Sequence, residues 1–199
     1  HPSVNTDINY STGFALTYSG TTRYATFIPT GAVPVAVSVK PFNTAAPDEW
    51  GTTITGGPTA RAQAEWAGAP VAGVVRGDPM VGSVIRSNGN IVTFTTGQHS
   101  ASQYQTIKFK EYSGSWGGET ELFDPTSIDP TGSFNFAFLG ATISPATGLI
   151  HVKSNVRNGG EIHCVLQADN TTTAFRRILT IYNNGVVVAK WAYGKMKCV

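Results

Sequence analysis

Four histidines, two cysteines, twelve carboxylates and four tryptophans are the side chains from which this 199-residue chain would have to build any chemistry. His151 and His163 fall on neighbouring predicted strands at matching outward positions. Two imidazoles so placed can share a metal ion, but the plainer expectation is a pair of half-exposed histidines and no metal site. His99 lies in Gln-His-Ser, a predicted turn with no evident carboxylate partner. The acid groupings are Asp48-Glu49 and the pair Asp124 and Asp129. Glycoside hydrolysis needs two carboxylates held at a set separation across a cleft. Asp124 and Asp129 each precede Pro-Thr, a context in which Asp starts a turn by bonding its own backbone. The nearest approach to Gly-x-Ser-x-Gly is residues 113–117, whose Gly114 adjoins Ser115 directly and which sit in a loop, not a strand-to-helix turn. Neither a Walker loop nor a dinucleotide fingerprint occurs. No catalytic residue and no cofactor are expected.

An amino-terminal histidine such as His1 can bind copper through its amine and ring, with a second imidazole from His99, His151 or His163. Oxidative polysaccharide-cleaving enzymes, also β-sandwiches of this size, use that arrangement. Their disulfide pattern and surrounding motifs are absent here, so His1 is read as a terminal residue left by cleavage. Cys164 alternates with Ile162 and Leu166 on one strand face, which predicts a buried free thiol. Pairing with Cys198 is the alternative in an oxidising compartment. The tryptophans are more informative. Trp50, Trp66 and Trp116 lie in or beside predicted loops, whereas Trp191 sits in a strand pattern. A loop tryptophan can stack on a sugar face, or it can plug the end of a sandwich. Because a rigid β scaffold carries recognition on its loops, these three are the candidate ligand-binding residues.

The elements that would position them are short strands. The clearest is a closing hairpin over residues 176–193, in which Asn183-Asn184-Gly185 separates two β-rich runs. A second hairpin joins 80–86 to 90–96 across Ser87-Asn88-Gly89. Further strands are read over 13–18, 23–28, 33–40, 103–112, 133–138, 148–153 and 161–168. Ile107 and Phe109 alternate with Lys108 and Lys110, which suits a sheet with one wet face. Residues 42–57 read as a long loop, and residues 60–67 as one short helix that Thr59 can cap. Many short strands at this spacing predict an all-β fold: an antiparallel jelly roll or related β-sandwich of about ten strands with one short helix. Residues 1–11 read as a polar arm, and 12–199 as a single domain.

Charged residues make up 13% of the chain and the net charge is +2. That is too little to grip nucleic acid, and no apolar run is long enough to enter a membrane. Low charge with Thr-, Gly- and Ala-rich surfaces gives the look of viral coat, spike or phage-fibre domains. The expectation is therefore a non-enzymatic structural domain at a virion surface or outside the cell, partnered by identical copies and by a host-surface glycan or receptor. A secreted carbohydrate-binding or carbohydrate-active module is the alternative.

Overall fold

The structure is a computed structural model that describes residues 14–20, 22–29, 35–43, 50–60, 80–101, 105–125, 139–155, 161–177, 181–183 and 186–189. Its described elements are all strands. In chain order they are β1 (Phe14–Ser19), β2 (Thr22–Phe27), β3 (Val35–Ala36), β4 (Ser38–Asn43), β5 (Thr59–Ala60), β6 (Val81–Ile85), β7 (Ile91–Gln98) and β8 (Gln105–Tyr112). There follow β9 (Thr120–Glu121), β10 (Gly140–Ile143), β11 (Ile150–Asn155), β12 (Glu161–Leu166), β13 (Thr172–Arg177), β14 (Ile181–Asn183) and β15 (Val186–Ala189). Every ladder is antiparallel, as short connections between successive strands require. The sequence-based expectation of an all-β sandwich holds. The helix expected over 60–67 begins at Ala60, which is in β5; its other residues, like the arm, the strand at 133–138, Trp66 and Trp191, lie outside the described residues.

The β6-β7-β8-β9 sheet has material on both faces. On one, Val84, Val92, Phe94, Ile107 and Phe109 meet Ile150, Val152, Ile162, Cys164 and Leu166 of the β10-β11-β12-β13 sheet. Burying each such aliphatic or aromatic side chain is worth about 1.5–3 kcal/mol, so this cluster is the main source of cohesion. On the other face, Val81 packs with Ile28, Val37 and Ala60, and Thr26 Oγ1 donates to Ser83 Oγ at 2.9 Å inside the protein. Residues 91–97 of β7 are consequently all buried, the signature of a strand covered front and back.

That second covering corrects two expectations. Residues 50–60 are not a free loop but run antiparallel to β4 and β3. Trp50 bridges to Phe42, Ile54 to Val39, and β5 pairs with β3. Nor is the lysine face of β8 wet. Lys110 Nζ donates to the Gly56 carbonyl at 3.0 Å, and the Lys108 side chain is only 15% exposed, ion-paired to Glu119 at 2.9 Å. Their apolar stems lie under the 55–59 backbone while their ammonium groups find partners.

The hairpins follow their turn residues. In the 80–98 hairpin the Arg86 amide donates to Asn90 O, and the Gly89 amide to Arg86 O, both at 2.9 Å; Gly89 takes φ 87°. This is a three-residue loop ending in a left-handed residue. The closing hairpin exists too over its described residues, β14 and β15. Arg176 and Arg177, at the start of the predicted run, end β13, which pairs with β12, while Ile181–Asn183 pairs with Val186–Ala189.

Candidate functional site

Strand register assembles a row of four side chains across one face of the β1-β2-β4 sheet. Tyr18 stands opposite Arg23, Arg23 opposite Phe42, and Phe42 opposite Trp50. Directly opposed residues of antiparallel strands share a face, so the row is continuous. The Arg23 guanidinium lies 4.7 Å above the Tyr18 ring centre. Phe42 and Trp50 meet at 4.9 Å, tilted by 46°. In the next row on the same face are Leu16, Ala25 and Lys40, and the Lys40 ammonium sits 5.8 Å from the Trp50 ring centre. The two-residue connection between β1 and β2 has Gly20 at φ 56°, the positive value that tight hairpin turns demand, and this fixes the register that aligns the row.

Exposure rises along this face. Phe27 and Ala25 are buried, Arg23, Lys40, Phe42 and Trp50 are half-buried, and Leu16 and Tyr18 are 61% and 68% exposed. The Trp50 indole N–H is shut off from solvent and has no hydrogen-bond partner among the described residues. Trp50 therefore contributes its ring and not its polar edge. The arrangement offers flat π surface beside two cations, with hydrogen-bond donors and an apolar flank at Leu16. Such a surface can take a flat, weakly polar ligand face by stacking and orient it with charge-assisted donors.

Trp116 is placed otherwise. Its ring packs on Tyr112 at 5.2 Å, and its indole N–H donates to the Thr55 carbonyl at 2.6 Å. A Cβ on Gly56 would come within 3.3 Å of its ring. Trp116 thus fastens residues 55–56 to the end of β8, and of the two described tryptophans singled out from the sequence, Trp50 joins the aromatic row and Trp116 does not. Tyr18, Arg23 and Lys40 escaped sequence reading because nothing local says that strands 14–19, 22–27 and 38–43 lie side by side.

One histidine expectation is corrected. His99 is buried and does have carboxylate partners: its Nε2 lies 3.2 Å from Glu121 and 3.8 Å from Asp124. Glu121 also accepts the Ser100 amide at 2.7 Å. The partners come from residues 121–124, which return beside the end of β7 only through the β8-β9 pairing. His151 and His163 share a face but are not opposite one another. His151 opposes Val165 and His163 opposes Lys153, so the histidines are diagonal neighbours; even so, His151 Nδ1 and His163 Nε2 are 3.0 Å apart. Asp124 is described, while Asp48, Glu49 and Asp129 are not. Cys164 carries a free thiol, and burial pushes its pKa well above the ordinary range, which makes it inert. No three His, Cys, Asp or Glu side chains group as a metal site among the described residues.

No family model and no curated protein matches the chain. Among solved structures it is similar to a fucose lectin from Kordia zhangzhouensis, determined in complex with methyl-fucoside. That likeness covers 92% of this chain and 99% of the lectin, at 12% identity and a TM-score of 0.39.

Proposed function

We propose that this chain is a non-enzymatic carbohydrate-binding β-sandwich that takes its ligand on the Tyr18–Arg23–Phe42–Trp50 row. The observation that carries the reading is the exposed Tyr18 ring, aligned by register with a second aromatic pair and two cations. The C–H face of a pyranose packs on an aromatic ring, and the ring's polar edge accepts from neighbouring donors. Arg23 and Lys40 supply donors of the type that bind hydroxyl or carboxylate oxygens. The fixed strands hold these groups in place before a ligand arrives, which lowers the ordering cost of binding.

Affinity electrophoresis through polysaccharide gels and a glycan array test it. Tyr18→Ala should leave folding intact, because the ring is largely in solvent, and should weaken glycan binding at least tenfold. Arg23→Ala should weaken it as well. A wild-type protein that binds no glycan, or a Tyr18→Ala variant that binds as well as wild type, overturns the reading. The coat- or fibre-type assembly expected from composition has the adjacent exposure of Leu16 and Tyr18 as its structural support. Sedimentation at micromolar concentration separates the two: a monomer that binds glycan supports the lectin-like reading, and a stable oligomer broken by Leu16→Lys supports assembly.

A further inference from the structure

On the β10-β11-β12-β13 sheet, away from the aromatic row, His151 Nδ1 and His163 Nε2 approach to 3.0 Å with ring centres 5.2 Å apart and planes inclined by 37°. Both side chains are half-buried on the face opposite the core, since their strand neighbours Ile150, Val152, Ile162 and Cys164 are the residues that point inward. We propose that this cross-strand pair is a binding site for a divalent first-row transition ion of the imidazole-preferring kind, such as nickel or zinc, with solvent in its remaining coordination positions.

The geometry carries the assignment. Imidazole nitrogens bind such ions at about 2.0–2.1 Å, so two nitrogens on one ion lie about 2.9 Å apart at a right angle and about 3.4 Å apart in a tetrahedron. The observed 3.0 Å falls inside that interval. In the metal-free protein one nitrogen must donate a proton to the other. In the metal-bound state both must be bare, so His151 carries its proton on Nε2 and His163 on Nδ1. One ring exchanges tautomer through water, with no net change in protons. The histidine ring torsion is broad, and a turn of each ring brings its lone pair from the partner nitrogen toward a common ion. The strands beneath are fixed by the Val152–Cys164 and His151–Val165 pairings, so both ligands are preorganised. Thr142, opposite His151, is exposed, as is Lys153, opposite His163.

Zinc and nickel titrated into the tag-free protein by calorimetry test the proposal. One equivalent should bind to wild type. His151→Ala and His163→Ala should each weaken that binding at least tenfold, and His99→Ala should not change it. Superimposable titrations for wild type and both strand variants would overturn the site. Wild-type protein labelled with ¹⁵N gives a reading that does not depend on variant folding. Substoichiometric zinc should shift the ring resonances of His151 and His163 together; shifts confined to other histidines sink the proposal.

Discussion

Glu119 shows how much one carboxylate does here. Its Oε2 accepts the Thr59 amide at 2.6 Å and its Oε1 accepts the Lys108 ammonium at 2.9 Å, so it joins β5 to the β8-β9 edge. Burial raises its pKa, but the Lys108 and Thr59 hydrogen bonds and the Lys108 charge outweigh burial, and the carboxyl ends below its ordinary 4.5. A carboxyl depressed in the folded state adds stability that is complete above the unfolded value and is lost as pH falls through the folded value. The contribution of Glu119 should therefore fade below about pH 4.5 and be absent in strong acid. Glu119→Gln should lower stability near neutrality by less than about 1 kcal/mol, since the group is partly solvated. It should also flatten the acid limb. Melting temperatures between about pH 3 and 5 should fall more steeply for wild type than for the variant. Asp169, held low by the amide and hydroxyl of Thr171, acts in both proteins and cancels. Parallel acid limbs would show that Glu119 is not engaged as described.

At the scale of elements, glycine reads differently in sequence and in structure. Residues 42–57 look like a loop because Gly, Thr and Pro crowd them, yet residues 50–57 of that stretch lie along β4 and β3. The close approach is what demands glycine. A Cβ on Gly57 would stand 2.6 Å from the Val37 carbonyl oxygen, and one on Gly51 2.8 Å from the Pro41 ring. Gly57→Ala would collide with backbone, which cannot rotate aside, and should cost about 1–3 kcal/mol as overpacked sites do. Chemical denaturation reads this directly, and a loss below about 0.5 kcal/mol, the usual bound for a neutral surface change, would mean the segment does not pack so closely. The hairpin around Asn88-Gly89 was legible because its chemistry is local. Gly89 supplies the positive φ, and Asn88 Oδ1 accepts the Asn90 amide at 3.0 Å. The β12-β13 turn repeats this construction with Asn170 at φ 67° and Asp169 accepting from the Thr171 amide, but without a glycine it gives no signal, and the part of β13 before Arg176 is not legible. The aromatic row and the carboxylates around His99 were illegible for another reason. Each depends on register between strands far apart in sequence, and alternation within one strand reveals a face without naming its neighbours.

For the whole molecule, what joins the two packed sheets at their ends is polar. Arg86, 8% exposed, sits where the 80–98 hairpin meets the β12-β13 turn. Its Nε pairs with Glu111 at 3.2 Å, and its Nη2 donates to the Gln167 carbonyl at 3.3 Å and to Asn170 Oδ1 at 3.0 Å. Glu111 accepts from Asn90 as well, at 2.6 Å, so the 80–98 hairpin, β8 and the β12-β13 turn meet at one guanidinium. A planar fork with several donors can serve such a site and an ammonium cannot, so Arg86→Lys should recover little of what is lost. Arg86→Met keeps the apolar stem but leaves the Glu111 carboxylate and two acceptors without their donor. Removing one partner of a buried pair costs about 3–5 kcal/mol. Glu111 retains some solvent and Asn90, which places the expected loss below that range, at about 2–3 kcal/mol. The double variant Arg86→Met, Glu111→Gln removes the stranded charge and should be more stable than the sum of the single losses implies, by about 1 kcal/mol or more. Urea unfolding of the four proteins measures the cycle. An Arg86→Met protein within about 0.5 kcal/mol of wild type, or strictly additive losses, would mean that apolar packing alone holds the sheets together at this end.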